Sequence, residues 1–158
     1  MEIGIIILCL ILSAFFSGME IAFVSSNKIY LEIEKKQDDF ISRILTKLTQ
    51  KPSKFIATML VGNNISMVVY GFFMGDLLMS WLTKSGYHFT DFSNLLIQTI
   101  LSTLIVLMTS EFLPKVFFQI YANSAIKIFA LPAYFFYRLF YYISTFMIWI
   151  SDYILKKF

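Results

Sequence analysis

The chain has 158 residues, 58% hydrophobic and 15% charged, where an ordinary soluble domain has about 45–50% and about 25%. With 18 Phe, 9 Tyr and 2 Trp, a soluble monomer of this length could not cover its apolar surface, and a net charge of +3 is too small to argue for nucleic acid. One cysteine, Cys9, excludes an internal disulfide, and one histidine, His88, excludes a three-histidine zinc site and leaves no credible Ser-His-Asp arrangement. No covalent chemistry is expected, so the chain is not read as an enzyme.

Ile3 to Val24 is an apolar run broken only by Ser13, Ser17, Gly18 and Glu20, long enough for a spanning helix. It lacks the positive leader of a signal peptide, so 1–26 reads as a retained first span. Residues 27–54 carry Lys28, Lys35, Lys36, Arg43, Lys47, Lys51 and Lys54, with apolar residues three or four apart from Ile29 to Leu48. That pattern predicts one or two amphipathic helices at the membrane surface.

Residues 55–83 form a second span with Trp81 at its far boundary, 83–93 a short polar loop, and 94–120 a third span. Residues 121–158 are so aromatic that a juxtamembrane helix or helix pair is favoured over a fourth span. The fold class is thus all-α: three transmembrane helices, a cytoplasmic or interfacial helical hairpin, and a juxtamembrane helix. The basic residues of 27–54 place that segment in the cytoplasm, the N-terminus outside and the C-terminus inside. The chain is expected to be an integral, multi-pass protein of the plasma or inner membrane.

Ionisable groups inside a bilayer are costly and usually functional. At 1.5 Å per residue, Ser17, the Asn63–Asn64 pair and Glu111 all fall about 12–14 Å above the cytoplasmic boundary, on three different helices. A hydroxyl, carboxamides and one carboxylate make an all-oxygen set suited to Mg²⁺ or Ca²⁺. Pro114 frees the carbonyl near residue 110, and Gly18 and Gly62 permit close backbone approach. Glu20, one turn nearer the cytoplasm, is expected to pair with a base of 27–54. A Glu111–Lys115 pair is conceivable by spacing, but Pro114 disturbs it. Asp76 is expected to be solvated. Gly71 and Gly75 form a GxxxG suited to a dimer contact or to packing within the chain.

The segments FFSGMEIAF at 15–23, GNNIS at 62–66 and EFLPK at 111–115 together resemble the transmembrane domain of the CNNM/CorC family, linked to magnesium export and once labelled hemolysin-like. The resemblance covers nearly the whole chain. It implies three spans, a cytoplasmic hairpin, a juxtamembrane helix, and a homodimer holding a dehydrated Mg²⁺. It implies ligands Ser17, Asn63 or Asn64, and Glu111, helped by backbone carbonyls, with Gly18, Glu20, Gly62, Ser110, Pro114 and Lys115 around them. Two positions depart from the family pattern: Ser110 stands where glycine is common, and Val116 where Thr or Ser is common. Nothing resembles the ATP-binding CBS domains that usually follow, so the chain reads as the membrane part of a longer protein. The function expected is magnesium transport by alternating access. Its rivals are a magnesium-sensing scaffold that regulates another transporter and a sodium- or proton-coupled cation transporter in which Glu111 titrates.

Overall fold

The computed structural model describes residues 2–84 and 91–156. Of the predicted polar loop at 83–93, residues 85–90 with His88 lie outside them, while 83–84 belong to the second long helix and 91–93 to the helix that follows. Every regular element among the described residues is helical: α1 (Glu2–Ser25), α2 (Lys28–Lys35), α3 (Phe40–Thr49), α4 (Pro52–Lys84), α5 (Asp91–Val106), a π-helical turn (Leu107–Phe112), α6 (Leu113–Ile120), α7 (Ala122–Ile128), α8 (Ala130–Leu139) and α9 (Tyr141–Leu155). Three stretches are long and apolar enough to cross a membrane: Glu2–Ser25, Pro52–Lys84 and Phe92–Ile120, the last joining α5, the π turn and α6.

Short polar residues set the hairpin. The Asn27 side chain caps α2 by accepting from the Ile29 and Tyr30 amides, and Asp39 caps α3 by accepting from Ser42 at 2.6 Å. Asp38 turns the chain between them with φ 52°, and the Ser42 hydroxyl donates to the Lys35 carbonyl at 2.7 Å. Pro52 opens α4, where a missing N–H costs nothing. Residues 121–156 are three short helices rather than one or two. The breaks fall at Tyr121, Phe129 and Phe140, whose φ/ψ lie off the helical values. Pro132 cannot donate to the Ile128 carbonyl, which helps to place the break at Phe129.

Among the described residues two large apolar cores hold the bundle, beside a small cluster of Ala22, Ala122 and Ala125. One gathers Phe16, Met19, Leu45, Leu48, Phe55, Met59, Ile126 and Ala130 at the hairpin end. The other gathers Ile6, Cys9, Tyr70, Met74, Leu78 and Val106 at the opposite end. On α3 the apolar stripe packs inward through Ile44, Leu45 and Leu48. On α2 the outcome differs. Leu31 and Glu34 are buried, while Ile29 and Ile33 are exposed. Glu34 tolerates burial because Lys127 of α7 reaches it at 2.7 Å.

Candidate metal centre

Between the two cores lies a band of polar atoms. The Ser13 hydroxyl of α1 donates to Asn63 Oδ1 of α4 at 2.6 Å. One turn along α1, Ser17 donates to the Ser110 carbonyl at 2.6 Å, and the Ser110 hydroxyl returns a bond to the Leu10 carbonyl at 3.1 Å. Ser13, Ser17 and Ser110 are all fully buried. Such bonds answer the cost of leaving buried hydroxyls and carbonyls unpaired.

Pro114 explains why the Ser110 carbonyl lacks its α-helical donor. In an α-helix it would accept from the amide of residue 114, but that residue is proline. The turn is wound to a five-residue spacing, with the Leu113 amide donating to Met108, a local distortion frequent at functional sites. Ser17 supplies the donor that proline lacks. Close approach is possible because α1 and α4 carry glycines here. A Cβ on Gly62 would sit 2.5–2.7 Å from three atoms of the Phe16 ring, and one on Gly18 2.7–2.9 Å from the Phe118 ring.

Glu111 follows Ser110 in the π turn. It is half-buried and lines an open cavity of 240 Å³ together with Tyr70, Gly71, Ser102 and Thr103. Tyr70 donates to the Ser102 carbonyl at 3.1 Å on the same wall. Among the described residues the Glu111 carboxylate has no hydrogen-bond or ion-pair partner, so Lys115, half-buried one turn on, does not neutralise it. Pro114 is half-buried in the first turn of α6.

The structure separates residues that the sequence could not. Asn63 faces α1, whereas Asn64 is exposed. Glu20 is half-buried and, among the described residues, pairs with no base of 27–54, contrary to the ion pair expected from sequence. The nearby carboxylates have taken other partners: Glu34 pairs with Lys127 and Glu32 with Lys35. Asp76 is exposed. Gly71 and Gly75 do not make one open face, because a Cβ on Gly75 would meet Gln98 of α5 at 2.7 Å while Gly71 meets nothing within 4 Å. Ser13, Tyr70 and Ser102 were not singled out from sequence. Ser13 lies four residues before Ser17, and Tyr70 seven after Asn63, so each repeats a helical face already marked. Among the described residues no three His, Cys, Asp or Glu side chains cluster for a metal. Ser17, Asn63 and Ser110 do not line the cavity at Glu111, whose oxygens come from Glu111, Tyr70, Ser102 and Thr103; one carboxylate with neutral oxygens is a donor set for a hard cation such as Mg²⁺ rather than for zinc or copper.

Residues 4–158 match the family model of the cyclin M transmembrane N-terminal domain. The chain is 29% identical over 120 residues to a UPF0053 protein of Haemophilus influenzae, covering 76% of this chain and 27% of that protein. It is 30% identical over 114 residues to the UPF0053 inner membrane protein YfjD of Escherichia coli, covering 72% and 24%. The chain spans about a quarter of the length of these curated relatives.

Proposed function

Since this chain belongs to the cyclin M transmembrane-domain family, a family of multi-pass membrane proteins linked to magnesium transport, we propose that it carries Mg²⁺ across the membrane through the polar band between α1, α4 and the π turn. The observation that supports this reading is the Ser110 carbonyl, released by Pro114 and met by the Ser17 hydroxyl at 2.6 Å, next in sequence to a carboxylate without a partner among the described residues. Mg²⁺ demands six oxygens and sheds water reluctantly. Ser17 Oγ, the Ser110 carbonyl, Asn63 Oδ1 and Glu111 would replace part of that shell. The two short hydrogen bonds then give way to ion–dipole contacts as each hydroxyl turns its proton aside. Glu111 alone among them brings full charge, so it contributes most to holding a divalent ion in an apolar surround.

We place the α2–α3 hairpin and the C-terminus in the cytoplasm, from the seven bases of 27–54. Access alternates, in this proposal, by small shifts of α1 against α4 and the π turn. The protein acts as a homodimer, and its contact is not through Gly75, which faces Gln98. A Gly71→Cys variant on a Cys9→Ala background tests the open Gly71 side. An intermolecular disulfide is expected if that side is the contact, and its absence moves the contact elsewhere.

The central test is Mg²⁺ flux in proteoliposomes together with thermal unfolding in detergent, for wild type and Glu111→Gln. A site-bound ion at a hundredfold excess over its dissociation constant stabilises by about 2.7 kcal/mol. Wild type should show flux and a Mg²⁺-specific stabilisation, and the variant should lose both. Equal flux from the variant would remove Glu111 from the site. Stabilisation without flux would favour a magnesium-sensing regulator instead.

A further inference from the structure

Lys54 is the third residue of α4, where the sequence pattern alone suggests a solvated base at the headgroups. The structure buries it: the residue is only 5% exposed. Its Nζ donates to Thr145 Oγ1 of α9 at 2.8 Å and lies 3.0 Å from the centre of the Tyr141 ring, with the Tyr137 ring at 5.8 Å. Among the described residues no carboxylate is within ion-pair distance of it. Buried charges are ordinarily paired with an opposite charge. Aromatic faces attract a cation, but they carry no countercharge, and an ammonium has three donors to satisfy.

Lys54 also lines a cavity of 410 Å³ with Lys51, Ser53, Tyr141, Thr145 and Asp152. Lys51 and Asp152 are exposed at its mouth. Two ammonium groups against one carboxylate leave one positive charge. The cavity opens where α4 enters its apolar run, and α9 beside it presents exposed Trp149 and Tyr153, residue types of the membrane interface. Phosphate oxygens are strong acceptors for such donors, and basic pockets at this depth hold lipid headgroups.

We propose that this cavity binds the phosphate of an acidic phospholipid, with Lys54 as the buried countercharge and Lys51 at the mouth. A phosphodiester with an uncharged head, as in phosphatidylglycerol, carries the single negative charge that matches the lining. The lipid would fasten α9 to the start of α4 on the hairpin side of the membrane.

The test is thermal unfolding of the full chain in a neutral detergent, titrated with short-chain phosphatidylglycerol, phosphatidylethanolamine or inorganic phosphate. Phosphatidylglycerol should raise the melting temperature saturably, and the other two should not. Lys54→Met should weaken the apparent affinity for phosphatidylglycerol at least tenfold without lowering the melting temperature in lipid-free detergent. The α4–α9 tie survives that change, because Thr58 and Ser144 remain bonded at 2.9 Å, and the Thr145 hydroxyl still donates to the Tyr141 carbonyl within α9. Lys51→Ala, a surface change, should weaken the affinity severalfold and serves if Lys54→Met does not fold. A Lys54→Met chain that melts lower yet responds to lipid as wild type would make Lys54 a structural tie only and overturn the proposal. So would an unchanged lipid response in Lys51→Ala. Equal shifts with inorganic phosphate or phosphatidylethanolamine would overturn the acidic-lipid assignment.

Discussion

The close approach of α1 and α4 rests on Gly62, and adding one methyl there tests it. A Cβ at Gly62 would stand 2.5–2.7 Å from Cζ, Cε1 and Cε2 of Phe16, far inside carbon–carbon contact distance. The ring has nowhere to go. Phe16 is 1% exposed and meets Phe15, Phe136 and Phe140 at centroid distances of 5.3, 4.7 and 6.3 Å. Overpacking of this kind costs about 1–3 kcal/mol. For a chain of this length that corresponds to about 2–12 °C in melting temperature. Gly18→Ala should be comparably costly, since the Phe118 ring lies at 2.7–2.9 Å. Gly75→Ala meets only the flexible amide end of Gln98 and should cost less. Gly71→Ala meets nothing within 4 Å and should gain about 0.5–1 kcal/mol from helix propensity. The assay is thermal unfolding in one detergent for all four variants, with Gly62→Ala also made on a Phe16→Leu background, where the smaller side chain makes room. The double variant should recover part of the loss. If Gly62→Ala melts with or above Gly71→Ala, α1 and α4 do not approach as described.

Two further outcomes follow from the polar contacts. Ser17→Ala leaves the Ser110 carbonyl without its hydroxyl donor and should cost about 1–3 kcal/mol; on a Pro114→Ala background, which restores an amide beside that carbonyl, the same change should cost less, and additive losses in melting temperature would refute the link between Pro114 and Ser17. The Lys127 hydrogen bond holds the Glu34 carboxyl below the usual carboxylate range, and the same bond raises the Lys127 ammonium above the usual lysine range. A lowered carboxyl stabilises the fold above its unfolded value and loses that contribution as pH falls through its folded value, while a raised ammonium loses its contribution only as pH rises through its own folded value. The pair is therefore fully stabilising between those two ranges. Lys127→Met should flatten the fall of melting temperature on the acid side, and an unchanged acid limb would show that the pair contributes nothing.

The spans were legible because bilayer thickness fixes their length and lipid fixes their composition. Helical rise converts sequence position into distance along a helix, and the structure brings Ser17 to the Ser110 carbonyl beside Glu111, while Asn63 meets Ser13, one turn from Ser17. Rotation was not legible. Asn63 and Asn64 differ by one residue, about 100° around the helix, and α4 is apolar on every side, so no stripe tells which faces α1. Partners distant in sequence were hidden as well. Nothing local to Glu34 points to Lys127, and nothing local to Lys54 points to Tyr141 and Thr145 on α9. Charged residues in a basic, amphipathic segment read as solvated, and tertiary packing overruled that at both positions. The π turn left one local trace, Pro114, which identified the carbonyl at 110 but not the hydroxyl that answers it.

The polar band has a mechanical consequence that neither apolar core shares. Each core is held by interdigitated side chains that lose dispersion contacts and expose apolar surface when they separate. The Phe16 cluster and the Ile6–Tyr70–Leu78 cluster are of this kind. Between them α1 is tied to α4 by Ser13–Asn63 and to the π turn by Ser17–Ser110. Hydrogen bonds between membrane helices contribute on average about 0.6 kcal/mol each when both partners can find others, less than the cost of leaving one partner unpaired. They can also be exchanged for contacts to a cation without emptying a packed cavity. Exchange of these polar contacts therefore costs less than rearrangement within either core, provided that Phe16 stays seated on Gly62. The π turn adds to this, because a helix already wound off its regular spacing has two nearby hydrogen-bond registers to choose from. An ion that parts the Ser17 hydroxyl from the Ser110 carbonyl and takes an oxygen from each would thus act through the contacts that are least costly to exchange.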